Sequence, residues 1–176
     1  MAVLDILLYP DPILRQTSSF VDLKDTALPK LVEDMFETLR ASNGIGLAAP
    51  QIGVLKRVIV IDFGRETEVS PLALINPEIL WRSEETTPFR NGCLSLPGIW
   101  ADVVRPAAIE IKYYDENFQP QLLKTDGLLA VCAQHEIDHL NGKIFIDHLS
   151  KLKRDFLIKK FFNRKMQEQE DLITQK

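Results

Sequence analysis

Apolar and polar positions alternate along the chain in two distinct periods, and the period changes several times. Leu28, Leu31, Val32, Met35, Phe36 and Leu39 recur at helical spacing, with Pro29 acceptable in a first turn and Asn43-Gly44 closing the segment. This spacing predicts an amphipathic helix. Arg57 to Asp62 reads RVIVID, a short β-branched run ended by Phe63-Gly64, which predicts a largely buried strand. Ala73 to Ile75, Ile79 to Arg82, Ala108 to Tyr114 and Gln121 to Lys124 are further strand candidates, joined as hairpins; in the third, Ile109, Ile111 and Tyr113 alternate with Ala108, Glu110 and Lys112. Asp126-Gly127 then stands where a helix N-cap is expected, and LLAVCAQHEIDHL continues helically until Asn141-Gly142. After Leu149 a second long helix is expected, with Leu152, Phe156 and Phe161 turned inward and a polar end, QEQEDLITQK, that frays. Strands clustered between helices, rather than alternating with them, make the fold class α+β: small antiparallel or mixed sheets around a central helix, with a C-terminal helix.

Composition narrows the class without changing it. At 176 residues, 45% hydrophobic and 26% charged, the chain is expected to form one domain over residues 1–176; its 8 Gly and 10 Pro exclude fibrous and low-complexity classes. No apolar stretch approaches the ~20 residues that span a bilayer. The start, MAVLDILLYPDP, has Asp5, no basic lead-in and no small-residue cleavage site, so it does not read as a signal peptide and a cytoplasmic location is expected. Two cysteines, Cys93 and Cys132, cannot build a disulfide framework and are expected to be buried, catalytic or metal-bound.

The net charge of −4 conceals an asymmetry. Residues 149 to 165 carry seven basic side chains (Lys151, Lys153, Arg154, Lys159, Lys160, Arg164, Lys165) and one acid, Asp155, a local +6; the other 14 basic and 24 acidic residues make −10. A basic helix and tail over residues 149–176 on an acidic body suits an anionic partner, and equally a solvated helix face.

The central helix contains His135-Glu136-Ile137-Asp138-His139, an H-E-x-x-H pattern. Positions i and i+4 share one helix face about 6 Å apart along the axis, so two imidazoles can close on one cation while Glu136 faces its open side. A catalytic metal of this kind takes three protein ligands and leaves one position for water. A metzincin third histidine is absent, since Phe145 occupies its position, and a thermolysin-like glutamate lacks a suitable acid downstream. Cys132 lies seven positions from His139, about 10 Å along the helix, too far for both to reach one ion. His148 reads as a structural or surface histidine in a turn. Cys93, in Asn91-Gly92-Cys93-Leu94-Ser95, remains as a candidate.

These residues resemble the peptide deformylases. Three segments carry the resemblance in order: Gly44-Ile45-Gly46-Leu47-Ala48-Ala49-Pro50-Gln51, Gly92-Cys93-Leu94-Ser95, and Gln134-His135-Glu136-Ile137-Asp138-His139-Leu140; the opening YPDPILRQTS is also similar. One departure is Asn91, where the family usually has glutamate. The resemblance implies a single divalent metal held by Cys93, His135 and His139, Fe²⁺ in cells with Zn²⁺, Ni²⁺ or Co²⁺ as alternatives, and removal of formyl from the starting methionine of nascent polypeptides. It implies Glu136 as proton carrier, Gln51 and the Leu94 N–H as donors to the carbonyl oxygen, Ile45 and Gly46 as a peptide-aligning strand, and Leu128, Val131 and Cys132 as walls of the methionine pocket. Together with the local +6 it implies docking on the ribosome through the basic C-terminal helix; a monomer without a membrane partner is expected. Two other readings stay open at this level: a deformylase-like binding protein without turnover, and a metal-free Cys-His hydrolase with Cys93 as nucleophile.

Overall fold

The computed structural model describes residues 2–64 and 67–174. Its elements are α1 (Leu28–Ala41), β1 (Gly46–Ala48), β2 (Val58–Ile61), β3 (Leu72–Arg82), β4 (Thr86–Cys93), β5 (Leu96–Pro106), β6 (Ala108–Tyr114), β7 (Pro120–Asp126), α2 (Gly127–Leu140) and α3 (Lys151–Thr174), with short 3₁₀ turns at Pro12–Arg15, Ala49–Ile52 and Phe145–His148. The fold is α+β. Five strands form an antiparallel sheet in the order β1-β2-β3-β6-β7, and β4 and β5 form a separate antiparallel hairpin. The two runs Ala73 to Ile75 and Ile79 to Arg82 belong to one strand, β3, whose register against β6 shifts between them.

The unbroken burial of Val58–Ile61 follows from a sheet covered on both faces. Side chains alternate across a strand. Val58 and Val60, with Leu47, Ala73 and Ile75, meet the α1 stripe of Leu28, Val32, Met35 and Leu39. Ile59 and Ile61, with Leu74, Ile109 and Ile111, meet Ala130, Ala133, Ile137 and Leu140 of α2. α2 is therefore buried on nearly every side over its second half, which is where the H-E-x-x-H residues stand.

A third apolar cluster lies behind the hairpin. Leu96, Ile99, Ala101 and Val103 of β5 meet Ile144 to Ile146 and, from α3, Leu157 and Phe161, with Tyr9 and Cys93 packed against them. The expected inward face of α3 is corrected here. Leu152 and Phe156 are 83% and 66% exposed, whereas Leu157 and Phe161 are buried. Apolar residues occur around the whole circumference of this helix, so its period does not choose a face; contact with β5 does. The helix also continues through Thr174, across most of the polar end expected to fray; residues 175 and 176 lie outside those described. Phe161→Ala is therefore expected to cost about 3–5 kcal/mol in denaturant unfolding, and Phe156→Ala less than about 0.5 kcal/mol. Equal losses would put the core face of α3 elsewhere.

Candidate metal centre

Both ends of α2 are set by backbone geometry. Asp126 occupies the cap position with extended φ but makes no side-chain cap bond, and the helix ends at Asn141. Gly142 then turns the chain with φ of +69°, and a Cβ there would come within 2.5 Å of the Arg15 carbonyl oxygen. The Ser18 N–H donates to the Leu140 carbonyl at 2.9 Å, fixing this end of the helix to the amino-terminal segment.

His135 and His139 project from one face of α2 with ring centroids 5.1 Å apart. Cys93 arrives from the end of β4, and its Sγ lies 3.3 Å from His139 Nε2. Among the described residues, Cys93, His135 and His139 form the one cluster with metal-ligand chemistry, each offering an atom within 4.8 Å of the others. Burial pushes His139 down to about 4. It also pushes His135 well below the ordinary range, helped by the neighbouring His139, so both rings are neutral and able to ligate. The Cys93 thiol is pushed up to about 12, first by burial and then by the Glu136 carboxylate, against hydrogen bonds from Ser95 and Leu96 that favour the thiolate. A thiol so raised becomes a thiolate beside a cation and not by itself. One soft sulfur and two neutral imidazoles thus fit a divalent transition metal.

Glu136 is 4% exposed, and its Oε2 has no hydrogen-bond partner among the described residues. Burial raises it to about 8, against the opposing pull of the Arg105 cation. It reaches this position because Gly46 has no side chain: a Cβ there would stand 2.5 Å from Glu136 Oε1 and 2.8 Å from Cys132 Sγ. Gln51, in the 3₁₀ turn Ala49–Ile52, is 1% exposed; its Oε1 accepts the Ala48 N–H at 2.8 Å, and its Nε2 lies 3.2 Å from Ser95 Oγ and 3.5 Å from Cys93 Sγ. Leu94 follows Cys93 in the turn between β4 and β5.

A cavity of about 440 Å³ opens beside these groups. Gln51, Leu94, Cys93, His135 and Glu136 all reach its wall, as do Ile45, Leu128, Val131 and Cys132. Val131 and Cys132 are buried and Leu128 is 42% exposed, which places Leu128 toward the mouth. Gly46 lies in β1, the edge strand of the five-stranded sheet, so among the described residues one side of that strand has no strand partner. The candidate residues, drawn from positions 45 to 139, thus converge on one cavity, except that Gly46 and His139 do not line its wall; Gly46 packs against Glu136 and Cys132, and His139 stands behind Cys93.

A layer of polar groups stands behind the ligands, and sequence spacing indicates little of it. Asn91, buried in β4, places Oδ1 3.3 Å from His135 Nδ1 and donates from Nδ2 to the Phe89 carbonyl at 2.7 Å. Arg105, 3% exposed, pairs through Nη1 with Asp138 Oδ2 at 2.7 Å, while its Nε and Nη2 have no partner among the described residues. His148 Nε2 meets the same Asp138 oxygen at 2.7 Å. Burial would raise Asp138, but bonds to His148 and Arg105 together outweigh it and hold the carboxyl below its ordinary range. Ser95 was legible only as the last letter of a motif, because its partner Gln51 lies 44 positions away.

Comparison with known proteins gives a consistent result. A profile of the family described as Polypeptide deformylase matches residues 3–155. The chain is 49% identical over 162 residues to a peptide deformylase of Agrobacterium fabrum, covering 92% of this chain and 95% of that protein. It is 52% identical over 163 residues to one of Phenylobacterium zucineum, covering 91% and 95%. The crystal structure of peptide deformylase from Ehrlichia chaffeensis matches with a TM-score of 0.89 at 44% identity, over 97% of this chain and 99% of that one. A second Ehrlichia chaffeensis structure, in complex with actinonin, matches with a TM-score of 0.88 at 45% identity, over 93% and 98%.

Proposed function

Because the chain belongs to the polypeptide deformylase family of metal-dependent hydrolases, we propose that Cys93, His135 and His139 hold its cation, that Glu136 carries the proton, and that the adjoining cavity receives the formylmethionine end of a nascent polypeptide. Deformylation is hydrolysis of the amide between the formyl carbon and an amino terminus, leaving formate and a free amine. A divalent cation supplies Lewis acidity, lowering the pKa of a coordinated water toward neutrality.

The chain's own residues supply the rest. Glu136 Oε2, buried and without a partner among the described residues, takes the proton of the attacking water and later returns it to the departing amine. Burial, which raises this carboxyl, raises its affinity for the proton it takes up and passes on. As the carbonyl carbon becomes tetrahedral, the Gln51 side-chain amide and the Leu94 N–H donate to its oxygen. The edge of β1 at Ile45 and Gly46 aligns the peptide by strand-type hydrogen bonds, and the methionine side chain lies against Leu128, Val131 and Cys132.

The partnerless carboxylate beside three ligand atoms is the observation that carries this reading. Its test is formate release from a formyl-Met peptide under anaerobic conditions, with metal counted per chain. Activity proportional to bound metal is expected. Full activity without stoichiometric metal would favour the Cys-His hydrolase, and stoichiometric metal without formate would favour the inactive binder. The first rival needs a thiolate, which a Cys93 pushed up to about 12 does not supply. The second has little support with Gln51, Cys93 and Glu136 on one cavity wall.

For the ion we propose Fe²⁺ in the cell, acting in a cytoplasmic monomer that works as one catalytic domain over residues 1–176. Thiolate and imidazole ligands also accept Zn²⁺, Ni²⁺ and Co²⁺. Among the described residues no helix is long and apolar enough to cross a membrane.

We also propose that α3 docks on the ribosome, with Lys151, Lys153, Lys159 and Lys160, all exposed, displacing counterions from RNA phosphates. Arg164 and Lys165 are less suitable for testing this. The Arg164 guanidinium occupies the space a side chain at Gly98 would need and pairs with Glu168 at 2.8 Å, while Lys165 Nζ lies 5.3 Å from the Phe161 ring centroid. Reversing the four lysines to glutamate is expected to abolish low-salt co-sedimentation with ribosomes and to leave turnover of a short formyl peptide within about twofold. Unchanged co-sedimentation would make α3 a solvated cover for the third cluster.

A further inference from the structure

We propose that Ser95 is a positioning residue that aims the Gln51 amide into the cavity and couples it to the Cys93 sulfur, an inference that rests on the role given to Gln51 above. Ser95 sits between β4 and β5 and is fully buried at 0% exposure, so each of its polar groups needs a protein partner. Its carbonyl accepts the Tyr9 N–H at 2.9 Å, which anchors the turn to the amino-terminal segment. Its hydroxyl lies 3.2 Å from Gln51 Nε2.

The orientation of the Gln51 amide follows from its other end. Oε1 accepts the Ala48 N–H at 2.8 Å, and rotating the amide by half a turn would set its NH₂ against that N–H, donor against donor. Nε2 is therefore held on the Ser95 and Cys93 side. It carries two hydrogens: one is taken by Ser95 Oγ, and the other faces Cys93 Sγ, 3.5 Å away, at the cavity wall. Ser95 Oγ and Cys93 Sγ thus share one donor, the Gln51 amide nitrogen.

The result is one amide nitrogen held between the Ser95 oxygen and the Cys93 sulfur. This fixes an otherwise rotatable side chain at both faces of its amide before the substrate arrives, which is the condition for a donor to act on charge that appears only in the transition state. Nothing else in the turn between β4 and β5 requires a hydroxyl at this position, because the Tyr9 contact uses the backbone.

The test is a double-mutant cycle on cobalt-loaded protein, with metal content matched across all variants. Gln51→Ala is expected to lower kcat for a formyl-Met peptide by about 10² to 10³. Ser95→Ala is expected to lower kcat roughly 10-fold with KM within about twofold, the scale of one lost hydrogen bond. The double variant should be no slower than Gln51→Ala alone, and Ser95→Thr, which keeps the hydroxyl, should recover most of the loss. The thiolate-to-cobalt absorption band supplies a readout independent of turnover: displacement of the Gln51 N–H from the sulfur should move it to longer wavelength in Ser95→Ala and not in Ser95→Thr. If Gln51→Ala leaves kcat unchanged, the role of Gln51 fails and this inference with it. If Gln51→Ala is slow but Ser95→Ala is normal, or the two losses multiply, Gln51 keeps its role and the inference about Ser95 is overturned. An unmoved band in Ser95→Ala overturns the link to Cys93.

Discussion

Glu136→Gln is expected to retain its metal and lose formate release by about 10² to 10⁴-fold, the range usual for removing a positioned proton carrier. Glutamine keeps the shape that Gly46 makes room for, so the close approach to β1 is undisturbed. What changes is charge and proton affinity. The carboxylate oxygen without a partner becomes one end of an amide that cannot take a proton from water. Removing a buried negative charge eases ionisation of the Cys93 thiol but also removes an attraction for the cation, so metal binding should change little. Metal per chain and kcat measured on one preparation separate these effects. A metal-replete variant with near-normal turnover would falsify the proton-carrier role.

Cys93→Ser is expected to fail at the earlier step. A hydroxyl is a poorer soft ligand than a thiolate and ionises far less readily, so affinity for Fe²⁺, Co²⁺ or Zn²⁺ should fall by more than the 10 to 100-fold typical of mutating an outer partner. Competition with a chromophoric chelator measures this directly. The fold should survive, because serine is close in volume and the third cluster is held mainly by Leu96, Ile99, Phe145 and Phe161. Unchanged affinity would move the third ligand to another residue.

Which parts of this molecule were legible in the chain depends on how local their cause is. The helix carrying His135 and His139 announced itself through spacing within five residues. So did β2 and β6, whose apolar residues are continuous or alternate cleanly. The hairpin β4–β5 did not. β4 contains Pro88, Gly92 and a run of polar residues that reads as a loop, and its strand character comes from pairing with β5. β5 buries alternate positions from Ile99 onward but buries Arg105 and exposes Trp100 and Val104, so its hydrophobic alternation is inverted at three places. The same holds for the site. Cys93 could be narrowed to a candidate ligand, yet its 3.3 Å approach to His139 depends on a strand that was not foreseen. The bonds of Gln51 with Ser95 and of Arg105 with Asp138 join residues 44 and 33 positions apart, and no periodicity reports such pairs.

The contact of Tyr9 with α3 has a consequence for the order in which the molecule is completed. Tyr9 lies 6.3 Å from Phe161 and 6.1 Å from Phe162, ring centre to ring centre, and its N–H holds the turn that follows Cys93. A ribosome makes Tyr9, then Cys93, then both histidines, and only afterwards Phe161. A growing chain halted after residue 148 therefore owns every proposed ligand while the wall behind Cys93 is still wet along Leu96, Ile99 and Val103. Closure of that wall waits on Leu157 and Phe161, which are not themselves proposed ligands. Until they are made, Cys93 packs against an incomplete cluster.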